Sequence, residues 1–254
     1  MRNPNDGTAR DPRGERRSGQ KFPSTHWSII QRLQGNDEER ETALNTLCAT
    51  YWMPVYSFVR RCGRSPEVAE DITQAFFARL ITKRMFDMAD PTRGRLRSFI
   101  LRDLRFFMRD EWAKDTAERR GGGQTPVSID VDSAEILLAK QLATEPDADK
   151  VFDREWGRAM MTAARTELEA EYRKRGRHED FTDLGQFLLP DAESEVSQEE
   201  LAQRTGRPLP TLRTALFRLR RRFRHHLVTQ VELTVTSHED VDEELRYLRE
   251  LFRG

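Results

Sequence analysis

The sequence predicts an all-α protein made of two helical domains joined by a flexible linker. Three observations lead there. Apolar residues recur at spacings of three and four from Trp27 onward, whereas the Val/Ile/Thr alternation of a half-buried strand is scarce. A chain of 254 residues is long enough for two modest cores. One break separates the periodic stretches. Over 119–150, Arg120-Gly121-Gly122-Gly123-Gln124-Thr125-Pro126 stops a helix, and a small-residue, acidic run follows in which only Ile136-Leu137-Leu138 is apolar enough for a brief helix.

The elements are justified in order. Residues 1–21 scatter Arg, Pro and Gly without the apolar segment of a secretory signal, and read as a disordered basic tail. The first domain spans 22–118. In it Ser65-Pro66 opens a helix, with Pro in the first turn and acids behind it, where the helix dipole favours them. Val68, Ile72, Phe76 and Leu80 form its core face, and Glu67, Glu70, Asp71 and Gln74 its polar face. The next helix, from Gly94 to about Arg119, carries two stripes. Leu96, Phe99, Ile100, Leu104, Phe107 and Met108 face a core. Arg102, Arg105, Phe106 and Arg109 recur at i, i+3, i+4 and i+7 on another face. Cations to follow a backbone and a flat ring to stack on a base are what single-stranded nucleic acid requires.

The second domain, 151–230, opens on a long amphipathic helix (Phe152, Trp156, Met160, Ala163/Ala164, through Leu168 to Tyr172). Ser197-Gln198-Glu199-Glu200 fits a capping box. Leu201 and Ala202 follow as core positions, and Thr205-Gly206-Arg207-Pro208 makes a turn. A helix then starts near Pro210 with Leu212, Ala215, Leu216, Leu219 and Phe223 on one face. Thr211, Arg213, Thr214, Phe217, Arg218, Arg220, Arg221 and Arg224 lie off that face. Helix, glycine-bearing turn and basic helix match a helix-turn-helix. The 21 residues from Arg204 to Arg224 hold eight Arg and no acid, a charge that suits a polyanion. Residues 231–254 form a C-terminal helical extension, with Val241, Leu245, Leu248 and Leu251/Phe252 on one side, packed on the second domain or docking a partner.

Composition bounds the function. Charged residues are 34% and hydrophobic ones 37%, and no run approaches the ~18 apolar residues of a spanning helix, so no membrane partner is expected. Lys+Arg and Asp+Glu are both 43. That zero net charge averages segregated parts: basic faces at 102–109 and 204–224 against acidic runs at 130–149, 191–200 and 239–244. Two cysteines, Cys48 and Cys62, without CxxC spacing point to a reducing cytoplasm rather than a disulfide or zinc framework. His178-Glu179-Asp180 and His238-Glu239-Asp240 are contiguous triplets, and neighbouring residues do not converge on one ion. With no HExxH, Walker loop or nucleophile elbow, neither catalysis, metal nor cofactor is expected.

Together these residues resemble the bacterial RNA polymerase sigma factors of the extracytoplasmic-function type. Glu70-Asp71-Ile72-Thr73-Gln74-Ala75-Phe76-Phe77 is similar to the family's E-D-x-T-Q-E-x-F segment, with Ala75 where the second Glu is usual. The resemblance implies that Glu70, Asp71 and Gln74 contact the β′ clamp helices of core polymerase. Phe99 through Arg120 resembles the region that melts the promoter and reads the −10 element, which would assign single-stranded DNA to Arg102, Arg105, Phe106 and Arg109; Phe106 stands where Asn is common. Glu200-Leu201-Ala202 through Gly206, then Thr211 to Arg218, resembles the −35-reading helix-turn-helix, with Arg207 and Pro210 as departures. It would assign −35 contacts to Thr211, Arg213, Thr214, Phe217, Arg218 and Arg221. Phe22-Pro23-Ser24-Thr25-His26-Trp27-Ser28, Arg120-Gly121-Gly122-Gly123, Phe152-Asp153-Arg154-Glu155-Trp156 and Val241-Asp242-Glu243-Glu244-Leu245 are similar to a planctomycete-like subgroup. The implied partners are core RNA polymerase through its β′ clamp helices and β flap, promoter DNA, and an anti-sigma factor or other regulator. The alternative is a free-standing helix-turn-helix regulator that binds an operator without polymerase.

Overall fold

A computed structural model describes residues 29, 32, 35–82, 95–119, 147–188, 196–235 and 237–253. Every regular element among them is helical, as the periodicity requires. The helices are α1 (Asp37–Arg61), α2 (Pro66–Thr82), α3 (Leu96–Arg119), α4 (Ala148–Lys174), α5 (His178–Leu184) with a short 3-10 turn (Gly185–Phe187), α6 (Gln198–Thr205), α7 (Leu209–Glu232) and α8 (His238–Leu251). The tail 1–21, the motif at 22–28, the glycine junction 120–123 and the 136–138 patch lie outside the described residues.

Local chemistry sets the ends. The Asn36 side chain accepts from the Glu39 amide at 2.9 Å and starts α1, whose first turn holds Asp37, Glu38 and Glu39 and whose last holds Arg60 and Arg61. Pro54 sits inside α1, buried, without ending it. Asp147 caps α4 by accepting from the Asp149 amide. Ser237 caps α8 by accepting from the Asp240 amide at 3.1 Å.

Two apolar cores result. The larger joins Leu47, Tyr51 and Val55 of α1, Phe76 and Leu80 of α2, and Leu96, Ile100 and Leu104 of α3. Phe152, Trp156 and Met160 of α4, Val231 of α7, and Val241, Leu245 and Leu248 of α8 complete it. The smaller core holds Leu168, Tyr172, Phe181, Leu184, Leu201, Leu212, Leu216 and Leu219. The cores therefore divide partway along α4 and not at residue 150, where the domain boundary was expected. At 27 residues, α4 is about 40 Å long and reaches both. Its apolar stripe showed that something covers it, not which neighbours do. The extension was expected to pack on the second domain or to dock a partner; α8 packs against α4 and α7 of that domain, within the larger core. Helix α5 falls in a stretch that reads as merely polar, yet Phe181 and Leu184 are buried.

Candidate nucleic-acid interface

The helix-turn-helix is built from local signals. The Ser197 hydroxyl accepts from the Glu200 amide at 3.1 Å, and the Ser197 amide donates to the Glu200 carboxylate at 2.7 Å, so the capping box is complete. These bonds hold the Glu200 carboxyl below its usual pKa. Gly206 ends α6 in the left-handed region (φ +66°), where a side chain would be strained. Pro210 sits in the first turn of α7. Leu212, Leu216 and Leu219 then bury in the smaller core, where α7 packs on α4 and α6, which turns the opposite face outward. Thr211, Arg213, Thr214, Phe217, Arg218 and Arg221 are all exposed.

The charge around this helix is less unopposed than the sequence count implied. Arg207 pairs with Asp180 at 2.8 Å, Arg204 with Asp183 at 3.4 Å, Arg213 with Glu199 at 3.1 Å, and Arg222 with Glu171 at 2.5 Å. Asp180 and Asp183 belong to α5, the element the sequence hid. Burial alone would raise the Asp180 pKa, but hydrogen bonds from Arg177 and Arg207 outweigh it and hold the carboxyl below its usual range. Among the described residues, no carboxylate pairs with Arg218, Arg221 or Arg224. Their charge faces solvent without a carboxylate to offset it.

The second face lies on α3. Burying Leu101, Leu104, Phe107 and Met108 turns Arg102, Arg105, Phe106 and Arg109 outward together. With Phe58 of α1 and Cys62 just past its end, and with Met108 and Trp112, they line an open groove of about 430 Å³. The Arg109 guanidinium lies 4.6 Å from the Phe106 ring centre, and that of Arg64 lies 6.0 Å from the Trp112 ring. Arg105 is engaged internally by Asp149 at the start of α4. Trp112 was missed by the sequence reading, although it extends the Arg105/Arg109 stripe by three residues. The α1 contributions come from tertiary packing and carry no sequence signal.

The third face is on α2. Asp71 and Gln74 are exposed, and Glu70 is half-buried, 3.5 Å from the Gln74 amide. Ile72, Thr73, Phe76 and Phe77 face inward. Arg79 ties α2 to α3 through Asp103 at 3.2 Å and the Phe107 ring, so the two outward faces keep one relation.

The two His-Glu-Asp triplets open α5 and α8, where their acids serve the first turn, and Asp180 and Asp240 pair with Arg207 and Arg95. Both cysteines are free thiols, their pKa values pushed up by burial. No described helix is long and apolar enough to cross a membrane. Comparison with protein-family models, with curated proteins and with solved structures finds no match.

Proposed function

We propose that this chain is a dissociable transcription-initiation subunit of the extracytoplasmic-function sigma type, which binds core RNA polymerase and directs it to a two-part promoter in the cytoplasm. One observation carries the reading. Among the described residues, the large hydrophobic side chains left most exposed are Phe106, Trp112 and Phe217, at 48%, 45% and 70%. Each stands among arginines on one of two separate helices, α3 and α7. A ring exposed beside cations is costly in water and useful against a base, by stacking or by contact with a thymine methyl. In this reading α3 takes the melted −10 strand through Arg102, Arg105, Phe106 and Arg109, and α7 reads the −35 duplex. The polar face of α2 (Glu70, Asp71, Gln74) meets polymerase.

The test is in vitro transcription with purified bacterial core RNA polymerase on a genomic fragment library. The expected result is weak promoter binding by the chain alone, and discrete start sites once core is added. Tight, specific operator binding by the chain alone, unchanged by core, overturns the reading in favour of a free-standing regulator. Asp71→Ala with Gln74→Ala should lower core affinity and leave the thermal melt unchanged, since both side chains are exposed. Unchanged core affinity removes α2 from the interface.

A further inference from the structure

Where α4, α7 and α8 meet, the packing leaves an open cavity of about 330 Å³. Met161 of α4 and Leu227 of α7 line it, with Leu245 and Leu248 of α8 and Phe252 just past its end. Gly157, one turn before Met161, has no side chain to hold Leu248 and Phe252 away from α4. The polar side chains of the lining are two guanidiniums, Arg224 of α7 and Arg249 of α8, both exposed. Arg249 Nε donates to the Leu245 carbonyl at 3.3 Å. No acid lines the cavity, and among the described residues no carboxylate pairs with either arginine.

The walls are held in place from one side by a buried ionic knot. Arg97, at the start of α3, has a side chain only 9% exposed. Its Nε and Nη2 donate to the Glu244 carboxylate of α8 at 3.2 and 3.1 Å, and its Nη1 donates to Asp153 of α4. The Tyr247 hydroxyl donates to the other Asp153 oxygen. Buried ion pairs contribute little net stability, because desolvation offsets their attraction, but they specify one arrangement. Here the arrangement is the register of α8 on α4, which places Leu245, Leu248 and Arg249 at the cavity.

We propose that this cavity is a binding site for a small amphipathic acid, a carboxylate that carries an unbranched apolar chain of medium length. The chain fills the apolar interior, and the carboxylate accepts hydrogen bonds from Arg224 and Arg249. Each observation narrows the class. Five apolar side chains suit hydrocarbon, and the flexible thioether of Met161 adapts to its shape. Two unpaired cations without an acid favour an anion over an amine, and a guanidinium fork matches a carboxylate. A nucleic-acid backbone is also anionic, but it has no use for an apolar interior. The volume falls at the small end of the roughly 300–1,000 Å³ typical of small-molecule sites. A second copy of the chain would need about 800 Å² from each partner, far more than this lining provides. The site is independent of the transcription reading.

Calorimetric titration of the full-length chain with octanoate, octanol and acetate tests the proposal. Octanoate should bind saturably, one molecule per chain. Octanol, which lacks the charge, should bind roughly tenfold more weakly, and acetate, which lacks the chain, should not bind. Arg224→Gln with Arg249→Gln should keep the wild-type melting temperature, since both side chains are exposed. It should weaken octanoate roughly tenfold and leave octanol unchanged. Met161→Trp fills the cavity and should abolish binding of both. Arg102→Gln with Arg109→Gln, in the groove on α3, should leave octanoate affinity as in wild type. Circular dichroism checks the fold of each variant; if Met161→Trp does not fold, the arginine variants still decide. The proposal is overturned if octanoate does not bind, if it binds no better than octanol, or if the Arg224/Arg249 variant binds it as wild type does. Loss of binding in the α3 variant overturns it too, by placing the acid in the other groove. So does a wild-type dimer in sedimentation that Met161→Trp returns to monomer, which would seat a second copy in the cavity.

Discussion

At the scale of single residues, exposure separates side chains held by the fold from those left for a partner. Arg213 and Glu199 pair at 3.1 Å, but both are more than half exposed, so the pair contributes about 0–1 kcal/mol and would yield readily to the DNA of the proposed reading. Arg213→Ala should therefore leave the melting temperature within a degree or two. It should cost about 1–3 kcal/mol of −35 affinity, concentrated at one base position, if the guanidinium reads a base edge. Affinities for a panel of single-base promoter variants decide this; a uniform loss shows a phosphate contact. Trp112 makes a parallel case on α3. It is 45% exposed beside Arg109 and under Arg64. Trp112→Ala should weaken binding of a single-stranded −10 oligonucleotide by about 1–3 kcal/mol, the usual worth of one base stacked on a ring. Duplex −35 binding should not change. Fluorescence anisotropy with the two probes separates the outcomes, and equal losses on both would count against a stacking role.

Elements were legible where their signals are local and opaque where they are not. The capping box at Ser197, the left-handed Gly206 and the start of α7 all lie within a few residues of their partners in sequence, so reading the chain in order finds them. The Arg102–Arg109 stripe was legible for the same reason: helical spacing alone puts it on one face. Nothing in the run of residues announces that Glu171, near the end of α4, meets Arg222 at 2.5 Å and His226 at 2.8 Å on α7. That contact joins α7 to the long helix that spans both cores. Burial alone would raise the Glu171 pKa, but hydrogen bonds from Arg222 and His226, with the charges of Arg222 and Arg175, outweigh it and lower the value. A carboxyl whose pKa is depressed on folding stabilises the fold above its unfolded pKa and loses that contribution as pH falls through the folded value. Glu171 should thus support the α4–α7 junction at neutral pH and fail below the ordinary carboxylate range. Glu171→Gln should cost about 1–2 kcal/mol at neutral pH, with the difference from wild type vanishing in acid. Thermal melts of both proteins across pH 2 to 7 measure it. A difference that persists unchanged at the acid end would mean that packing, not charge, holds the junction.

For the molecule as a whole, zero net charge conceals a sorting of charge by place in the fold. Acids of α5 and α8 are spent on Arg207, Arg204, Arg95 and Arg97, while Arg218, Arg221 and Arg224 of α7 have no carboxylate partner among the described residues. Composition could not reveal this, because pairing depends on which helices meet. The same is true of the contact that sets α8 on α4. Gly157 marks it. A glycine in mid-helix costs about 1 kcal/mol relative to alanine, so its presence in α4 calls for a packing reason. A Cβ there would stand 2.7 Å from a ring carbon of Phe252 and 2.9 Å from a methyl of Leu248, both on the C-terminal segment. The missing side chain is what lets α8 lie close on α4. Gly157→Val should overpack this contact by about 1–3 kcal/mol, push α8 away, and do so without altering a single charge of the Arg97 knot. Hydrogen exchange should show deprotection of 238–251 together with a lowered melting temperature, while the helix-turn-helix around Leu212 and Leu219, in the other core, keeps its protection. Uniform deprotection of both cores would show that the molecule opens only by unfolding, and that α8 is a structural helix instead of a separable one.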